Sequence, residues 1–262
     1  MRADVLLALK GYAESRNKAR SLIDSGCVYS CGTLVRKASA DLPEDADISV
    51  VTVGESFVGR GALKLVGALA DFGVDPAGMK CLDIGASTGG FTDCLLRRGA
   101  VHVTAVDCGR GQLASSLMSD SRVTSIEGCN ARYITPDDVG SEYDLCVMDV
   151  SFISQTYILP ALKPLLKPNG IVIALIKPQF ELDSTSVSKG VVKSPEKRLR
   201  ALCRVYDSLD TYGLAPIAFI RSPIMGSDGN VEYFGLYKLS NGISDNIRVF
   251  DRAGLRTLAF MR

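Results

Sequence analysis

The sequence predicts a doubly wound α/β protein preceded by a small α+β module, and three observations support this fold class. From Lys80 onward, short apolar runs alternate with segments of helical periodicity, as in a mainly parallel sheet covered by helices. The first of these runs, 80–84, leads directly into a glycine-rich turn. Residues 1–40 carry seven basic and three acidic groups, whereas 41–56 carry five acidic groups and no basic one, which indicates a boundary near residues 50–58.

The overall composition is that of a globular protein. The 262 residues are 47% hydrophobic and 23% charged, which predicts one or two domains with cores of their own. A net charge of +1 excludes binding of polyanions by the whole surface, so any contact with nucleic acid must be local. Apolar stretches such as 171–176 are far shorter than the roughly 20 residues of a membrane span, and the N-terminus lacks a secretory apolar run. We expect a cytoplasmic protein without membrane contact, with domains at 1–56 and 57–240 and a C-terminal tail at 241–262.

Cysteine usage indicates neither a disulfide framework nor a metal site. The eight cysteines are scattered through apolar segments, and a chain of this length can fold without covalent cross-links. The sequence has no Cys-x-x-Cys pair, and His102 is its only histidine. We therefore expect reduced thiols and no bound metal.

The N-terminal segment predicts two short helices followed by short strands. Ser15 is placed to cap the second helix, Gly26 to end it, and strands are expected at 27–37 and 48–53. Residues 2–53 resemble the RNA-binding domain shared by ribosomal protein S-four, tyrosyl-tRNA synthetases and pseudouridine synthases, through the pattern at 15–28 followed by Gly32, Lys37 and Ser39. The expected phosphate-contacting residues are Arg2, Arg16, Lys18, Arg20 and Lys37. The alternative interpretation of these cations is an ordinary solvated helix face.

The second segment predicts a seven-stranded sheet. Helical periodicity between several strands favours parallel pairing, whereas the last two candidates have no helix between them, so the final strand should insert antiparallel. The strand candidates are 80–84, 101–106, 122–126, 143–149, 170–177, 214–221 and 231–239.

The glycine-rich turn and the strand ends that follow it predict a cofactor site. Parallel strands place their carboxyl ends at one edge of the sheet, where α/β folds bind ligands. Asp107 closes the next strand, where a carboxylate can accept both hydroxyls of a ribose. The predicted cofactor residues are Asp83, Gly85, Ala86, Ser87, Gly89, Gly90, Phe91, Asp107, Asn130 and Asp149. For Asn130, contact with an adenine edge and a simple turn-forming role are equally open.

The spacing of the glycines helps to choose the cofactor. A dinucleotide fingerprint Gly-x-Gly-x-x-Gly is missing, because Ser87 occupies the second glycine position. Asp83 suits a ligand that carries an ammonium and a sulfonium, whereas it would repel a pyrophosphate. The sequence therefore favours S-adenosylmethionine, with an ordinary strand-turn-helix as the alternative.

Six ordered motifs carry a resemblance to a known family. They lie at 59–65, 82–92, 105–113, 148–154, 176–181 and 229–234. Together they resemble the TlyA family, also called hemolysin A, which joins an S-four-type domain to an FtsJ-like methyltransferase. The resemblance implies a Rossmann-like, seven-stranded, S-adenosylmethionine-dependent domain that 2'-O-methylates cytidine in ribosomal RNA or ribosomal subunits. It also implies a catalytic tetrad of Lys64, Asp149, Lys177 and Glu232.

The chemistry of such a tetrad can be argued without the resemblance. A ribose hydroxyl is a poor nucleophile and needs a base, and a lysine serves only if its pKa falls from about 10.4 toward about 7 to 8. A nearby second lysine lowers that pKa, whereas nearby carboxylates raise it, and the sequence leaves the balance open. We interpret Lys177, rather than Lys64, as the base, with Asp149 and Glu232 orienting the ammonium groups.

Two other functions are consistent with parts of the sequence. A non-catalytic RNA-binding protein would explain the N-terminal segment alone. A membrane-lytic protein would explain the family's second name, although no long amphipathic repeat supports it.

Overall fold

The computed structural model describes residues 1–24, 28–30, 33–35, 37–50, 57–183, 187, 190–226, 228–242 and 249–261. The chain divides into two compact units, Met1–Arg60 and Gly61–Arg262. The division lies a few residues after the boundary that the charge pattern indicates.

The first unit contains two helices and a small antiparallel sheet. Helices α1 (Ala3–Leu9) and α2 (Arg16–Asp24) precede strands β1 (Val28–Ser30), β2 (Thr33–Leu34) and β3 (Ile48–Val50), which pair in the order β2-β1-β3. Ser15 caps α2, because its hydroxyl accepts a hydrogen bond from the Lys18 amide at 3.2 Å. The core is formed by Ala3, Leu6, Leu7, Ala19, Ile23, Val28, Val35, Ala46 and Ile48. The predicted helix stop at Gly26, together with Cys27, Cys31, Gly32 and Arg36, lies outside the described residues.

The second unit is built on a seven-stranded mixed sheet. Its strands are β4 (Lys80–Ile84), β5 (His102–Asp107), β6 (Val123–Glu127), β7 (Tyr143–Met148), β8 (Leu166–Ile176), β9 (Leu214–Arg221) and β10 (Tyr233–Leu239). They are ordered β6-β5-β4-β7-β8-β10-β9. The first five are parallel, and β10 inserts antiparallel to both β8 and β9, which confirms the sequence prediction. Only β8 differs clearly from its predicted bounds: it was expected at 170–177 and spans Leu166–Ile176. It begins earlier because Leu166 already pairs with Tyr143, before a shift in register.

Helices pack on both faces of the sheet. They are α3 (Gly61–Phe72), α4 (Gly90–Arg97), α5 (Ser115–Met118), α6 (Pro136–Val139), α7 (Leu159–Leu162), α8 (Pro178–Glu181), α9 (Pro195–Leu209) and α10 (Gly254–Phe260). Leu82 and Ile84 of β4 join an apolar cluster with residues of α7, α9 and α10, whereas Asp83 bonds Thr92 of α4. This alternation follows from the period of two in a strand. Among the described helices, none is long and apolar enough to cross a membrane.

The C-terminal segment 241–262, predicted as a tail, contains a packed helix. In α10, Leu255 and Ala259 are fully buried and Leu258 is nearly so. The carbonyl of Ala259 accepts hydrogen bonds from the Arg198 guanidinium at 2.9 and 3.2 Å, which ties α10 to α9. The i, i+3, i+4 spacing of these three apolar residues was a weak signal for a helix that spans only two turns.

The described cysteines are free thiols. Cys81, Cys94 and Cys146 are buried, and burial raises the pKa of each thiol. Buried thiols of this kind behave as small apolar side chains.

Candidate active site

The loops after four neighbouring parallel strands, β6, β5, β4 and β7, line a cavity. Strand β4 lies between β5 and β7, so the residues that follow Ile84, Val106 and Met148 meet at one edge of the sheet. The cavity has a volume of about 350 Å³, within the roughly 300–1,000 Å³ of small-molecule sites. Its lining residues are Ile84, Gly85, Ser87, Val106, Asp107, Cys108, Gln112, Cys129, Asn130, Ala131, Asp149, Val150, Ser151, Phe152, Ile153 and Ile158.

The turn after β4 needs glycine because the backbone passes very close to β7. Gly85 has a φ of +83°, and a Cβ at this position would lie 2.4 Å from the carbonyl oxygen of Asp149. Gly89, with a φ of +97°, begins α4 in the left-handed region. The glycine-rich stretch thus allows the turn to reverse sharply between the sheet and α4.

Asp107 fixes the open side of this turn. Its two carboxylate oxygens accept hydrogen bonds from the Ser87 amide at 2.8 Å and the Gly109 amide at 2.7 Å. Ser87 has a φ of +49°, a strained value for a residue other than glycine, and the bond to Asp107 helps to hold it there. A carboxylate has about four acceptor positions, so Asp107 retains capacity for the hydroxyls of a ligand.

The structure separates the predicted cofactor residues into two groups. Gly85, Ser87, Asp107, Asn130 and Asp149 line the cavity. Asp83, Ala86, Gly89, Gly90 and Phe91 are buried behind the turn, where they support it. The first group can contact a ligand in the cavity directly, whereas contact of the second, buried group with the cofactor stays a prediction. The side chain of Asn130 caps the following turn by accepting a bond from the Arg132 amide at 3.1 Å, as in the turn-forming interpretation.

Asp83 lies directly beneath the glycine-rich turn. It is fully buried, one carboxylate oxygen accepts a bond from Thr92 Oγ1 at 2.7 Å, and the other has no hydrogen-bond partner among the described groups. The pKa of Asp83 is raised to about 7, chiefly by burial; hydrogen bonding with Thr92 lowers it, and the nearby carboxylates of Asp149 and Asp107 add to the rise. A negative carboxylate at this depth would be stabilised by a cationic ligand above the turn, so the residues present fit S-adenosylmethionine.

Asp83→Asn should flatten the pH dependence of stability. The pKa of Asp83 is about 7 in the folded protein and about 3.9 in an unfolded chain, so the folded state holds this proton to higher pH. Its contribution is fully present below about pH 4 and is lost as the pH rises through about 7. The melting temperature of the Asn variant should therefore fall less between pH 5 and 8 than that of the wild type. Exposed Asp71→Asn serves as the control, and identical pH profiles for wild type and Asp83→Asn would contradict the assignment.

Sequence reasoning missed the apolar wall of the cavity. Val150, Ile153 and Ile158 lie in the segment after β7, and Cys129 follows β6. The available signal was their position after strand ends, but apolar residues there are also common in ordinary packing. Phe152 stands out because its φ is +64° and its side chain is 91% exposed, 5.1 Å from the ring of Phe180 between centroids.

The first of the two predicted lysine–carboxylate pairs adjoins the cavity, because Asp149 lines it. Lys177, at the end of β8, places Nζ 2.6 Å from Asp149 Oδ1 and donates a hydrogen bond to Ser151 Oγ at 2.8 Å. The side chains of Lys177 and Asp149 are 11% and 20% exposed, so solvent reaches the pair in part. Asp149 therefore belongs both to the cavity wall and to this pair.

The two loops that carry this pair are joined by a buried network. Glu181 of α8 accepts hydrogen bonds from the Ser154 hydroxyl and from the Gln155 amide, the latter at 3.0 Å. Burial raises the pKa of Glu181, and its bonds to Ser154 and Gln155 oppose that effect. The contact links the segment that contains Ser151 to the segment that begins at Lys177, which stabilises their relative position.

The second pair is more deeply buried. Lys64 of α3 lies 2.5 Å from Glu232 Oε2, and the two side chains are 7% and 3% exposed. Glu232 directly precedes β10, whose first residues pair with the end of β8. Near the start of α3, a Cβ on Gly61 would lie 3.9 Å from Asp149 Oδ2, so the helix that carries Lys64 begins beside the first pair.

The four predicted tetrad residues thus form two lysine–carboxylate pairs at neighbouring strand ends. Each lysine has a carboxylate as its ion-pair partner, Glu232 for Lys64 and Asp149 for Lys177. The sequence left open whether each lysine is influenced mainly by a carboxylate or by the other lysine. The structure shows a carboxylate in contact with each lysine. This contact holds each ammonium group in a defined direction.

In the first unit, two of the predicted RNA-binding residues share a buried partner. Arg2 donates two hydrogen bonds to Asp4 at 2.9 and 3.1 Å, and Arg16 donates one to Asp4 at 3.0 Å. The Asp4 side chain is 6% exposed, whereas those of Arg2 and Arg16 are 52% and 60% exposed. The Arg16 guanidinium therefore ties the start of α2 to α1, and both arginine side chains still face solvent in part.

The other predicted cations of the first unit are exposed. Lys18 and Arg20 lie on α2, and Lys37 follows β2. Their exposure is compatible with phosphate contact and equally with a solvated surface.

Comparison with known families identifies the larger unit. Residues 57–238 match the family model described as FtsJ-like methyltransferase. The match spans all seven strands of the mixed sheet except the last residue of β10.

Two curated relatives and one solved structure resemble most of the chain. The 16S/23S rRNA (cytidine-2'-O)-methyltransferase TlyA of Mycobacterium tuberculosis is 44% identical over 235 residues, which cover 89% of this chain and 88% of the relative. Hemolysin A of Brachyspira hyodysenteriae is 40% identical over 235 residues, which cover 89% of this chain and 98% of the relative. A structure from Streptococcus thermophilus that carries the name hemolysin is 35% identical with a TM-score of 0.73, over 99% of this chain and 94% of the other.

Proposed function

This chain belongs to the TlyA family of FtsJ-like methyltransferases, and on that premise we propose that it methylates a ribose 2'-hydroxyl of ribosomal RNA, using S-adenosylmethionine. The proposed target nucleoside is cytidine, as in the name of the M. tuberculosis relative. One observation carries the proposal: Asp149 lines the cavity and also contacts Lys177 Nζ at 2.6 Å. A methyl donor in the cavity and a proton-accepting group beside it would meet at this residue.

In this proposal, different cavity residues contact different parts of the cofactor. Asp107 would accept the ribose hydroxyls, and the backbone of the glycine-rich turn at Gly85 would approach the methionine part. The apolar side chains of Val150, Ile153 and Ile158 would cover the adenine. S-adenosylmethionine would supply an electrophilic methyl group bound to a sulfonium, and the sulfur would leave as a neutral thioether.

Lys177 is proposed to receive the proton of the 2'-hydroxyl. As the new O–C bond forms and the S–C bond breaks, the hydroxyl proton would pass to the lone pair on Nζ of Lys177. The lysine would accept it as the neutral amine and become the ammonium partner of Asp149. Asp149 and Ser151 hold that nitrogen at 2.6 and 2.8 Å, so the lysine is oriented before the substrate arrives. Lys64 and Glu232 would position the neighbouring ribose oxygens from the second pair.

The first unit is proposed to be the S-four-type RNA-binding domain. The exposed cations of α2 and Lys37 would contact phosphates, and Arg2 and Arg16 would do so with the side not bonded to Asp4. This assigns phosphate contacts outside the active site to the first unit and methyl transfer to the second.

Transfer of labelled methyl groups from S-adenosylmethionine tests the proposed function. Purified protein should label free 16S or 23S rRNA, or the corresponding ribosomal subunits, and the label should map to a cytidine 2'-oxygen. Lys177→Ala provides the inactive control. Absence of label on every RNA and subunit, with RNA binding intact, would instead support a non-catalytic RNA-binding protein.

Lys18→Gln combined with Lys37→Gln should weaken the salt dependence of RNA binding. Each lost phosphate contact reduces the slope of log K against log salt by about 0.7 to 0.9, so the double variant should lose about 1.5. Affinity for S-adenosylmethionine should stay unchanged, because both substitutions lie in the first unit. Filter binding over a salt series measures the slope, with exposed Lys163→Gln as the control. An unchanged slope would place the RNA-binding surface elsewhere.

A further inference from the structure

Three exposed side chains form a stacked group at the edge of the second unit's cavity. The guanidinium carbon of Arg132 lies 4.7 Å from the ring centroid of Tyr157 and 5.5 Å from that of Tyr133. Tyr133 is 68% exposed and Tyr157 is 46% exposed. We call Arg132, Tyr133 and Tyr157 the Arg132 platform.

The local backbone holds the Arg132 platform in place. Arg132 and Tyr133 belong to the 3₁₀ turn Ala131–Tyr133, which the Asn130 side chain caps. Tyr157 ends the 3₁₀ turn Gln155–Tyr157, which the Ser154 side chain caps. Because both turns are capped, the rings and the guanidinium are presented on short, ordered segments rather than on long loops.

The platform lies next to the cavity but outside its lining. Asn130 and Ala131, just before Arg132, line the cavity, and so does Ile158, just after Tyr157. None of the three platform side chains is among the lining residues. A ligand on the platform would therefore be a group outside the cavity, beside the cofactor rather than part of it.

The charge of Arg132 is available to such a ligand. Within the described part of the chain, no carboxylate lies within ion-pair distance of its guanidinium, unlike Arg97, Arg122 and Arg252, which are paired with aspartates. Stacking of an exposed aromatic ring on a planar cation contributes only about 0.5–1 kcal/mol to stability. This contribution does not by itself explain two exposed tyrosines beside Arg132.

The chemistry of the platform matches an unpaired nucleotide. Aromatic and guanidinium planes stack on splayed bases, and the positive charge favours the adjoining phosphate. We propose that the Arg132 platform binds an unpaired nucleotide of the substrate RNA next to the one that is methylated, through stacking on its base. This inference rests on the proposed function, since it requires an RNA substrate at the same cavity.

Kinetics of Arg132→Ala in the full-length protein test the inference. At subsaturating rRNA, kcat/KM for methyl transfer should fall about 10-fold or more, in the range found when a base-stacking residue is truncated. Affinity for S-adenosylmethionine should be unchanged, and the cap on Asn130 survives because it uses the Arg132 backbone amide. Tyr157→Ala, with its fold checked by thermal melting, should act in the same direction.

Two further variants separate stacking from charge and from general surface effects. Arg132→Lys keeps the charge but loses the planar guanidinium, so it should remain close to the Ala variant. Arg256→Ala is the matched control, because Arg256 stacks at 5.1 Å on the exposed Phe260 of α10, and it should leave kcat/KM unchanged.

The outcomes distinguish this inference from the proposed function. Wild-type kcat/KM in both Arg132→Ala and Tyr157→Ala would overturn the inference while methyl transfer by the wild type upheld the function. Full rescue by Arg132→Lys would also overturn it, because charge alone would then suffice. A wild-type protein that labels no ribosomal RNA would overturn both.

Discussion

Lys177→Ala is expected to reduce single-turnover methyl transfer by about 10²-fold or more while both ligands still bind. An acid–base group contributes about 10²- to 10⁴-fold, and Lys177 is the lysine that contacts the cavity residues Asp149 and Ser151. The Asp149 side chain is 20% exposed, so removal of the lysine leaves this carboxylate in contact with solvent rather than isolated in the core. The loss should therefore appear in the rate of the chemical step and not in the affinity for S-adenosylmethionine or RNA.

Lys177→Arg distinguishes a proton acceptor from a fixed positive charge. Arginine keeps the charge but does not deprotonate in proteins, so the variant should stay nearly as slow as the Ala variant. Lys167→Ala is the matched control, because Lys167 forms an equally short pair with Asp144, 2.6 Å, away from the cavity lining. Near wild-type turnover by Lys177→Arg would refute the proton-accepting role and point to Lys64 instead.

The sheet could be predicted from the sequence because its signals are local. Apolar runs bounded by turn residues located all seven strands, and the missing helix before β10 predicted its antiparallel insertion. Helix α10 was missed, because an isolated helix of seven residues is marginal and only packing against Arg198 and the apolar cluster accounts for it.

Side-chain direction and distant ion pairs were not available from local patterns. Strand periodicity placed Asp83 at the correct edge of the sheet but could not show that its carboxylate points under the turn toward Thr92. In the same way, Arg2 and Arg16 were recognised as cations, but their common partner Asp4 depends on how α1 meets α2. The pairing of Lys64 with Glu232 joins residues 168 positions apart, which only the folded sheet brings together.

Replacing one member of the Lys64–Glu232 pair is expected to destabilise the second unit strongly. The side chains are 7% and 3% exposed, so Lys64→Met or Glu232→Leu alone would leave an unpaired buried charge. Breaking a buried pair in this way costs about 3–5 kcal/mol. Urea unfolding of each single variant should show a loss of that size, whereas Lys167→Ala at an exposed pair should change stability by about 1 kcal/mol or less.

The double variant Lys64→Met with Glu232→Leu separates stability from catalysis. Replacing both charges by apolar groups of similar volume is often neutral or stabilising, so the double variant should recover most of the stability that either single variant loses. Its methyl transfer should nevertheless stay far below the wild-type rate, because the groups proposed to position the ribose are gone. A stable double variant with wild-type turnover would show that the pair serves the fold alone and that Lys177 and Asp149 suffice for the chemistry. Continued instability of the double variant would show instead that the closely packed surroundings of Glu232 do not accept leucine. A Cβ added at Gly226 would lie only 2.5 Å from Glu232 Oε1.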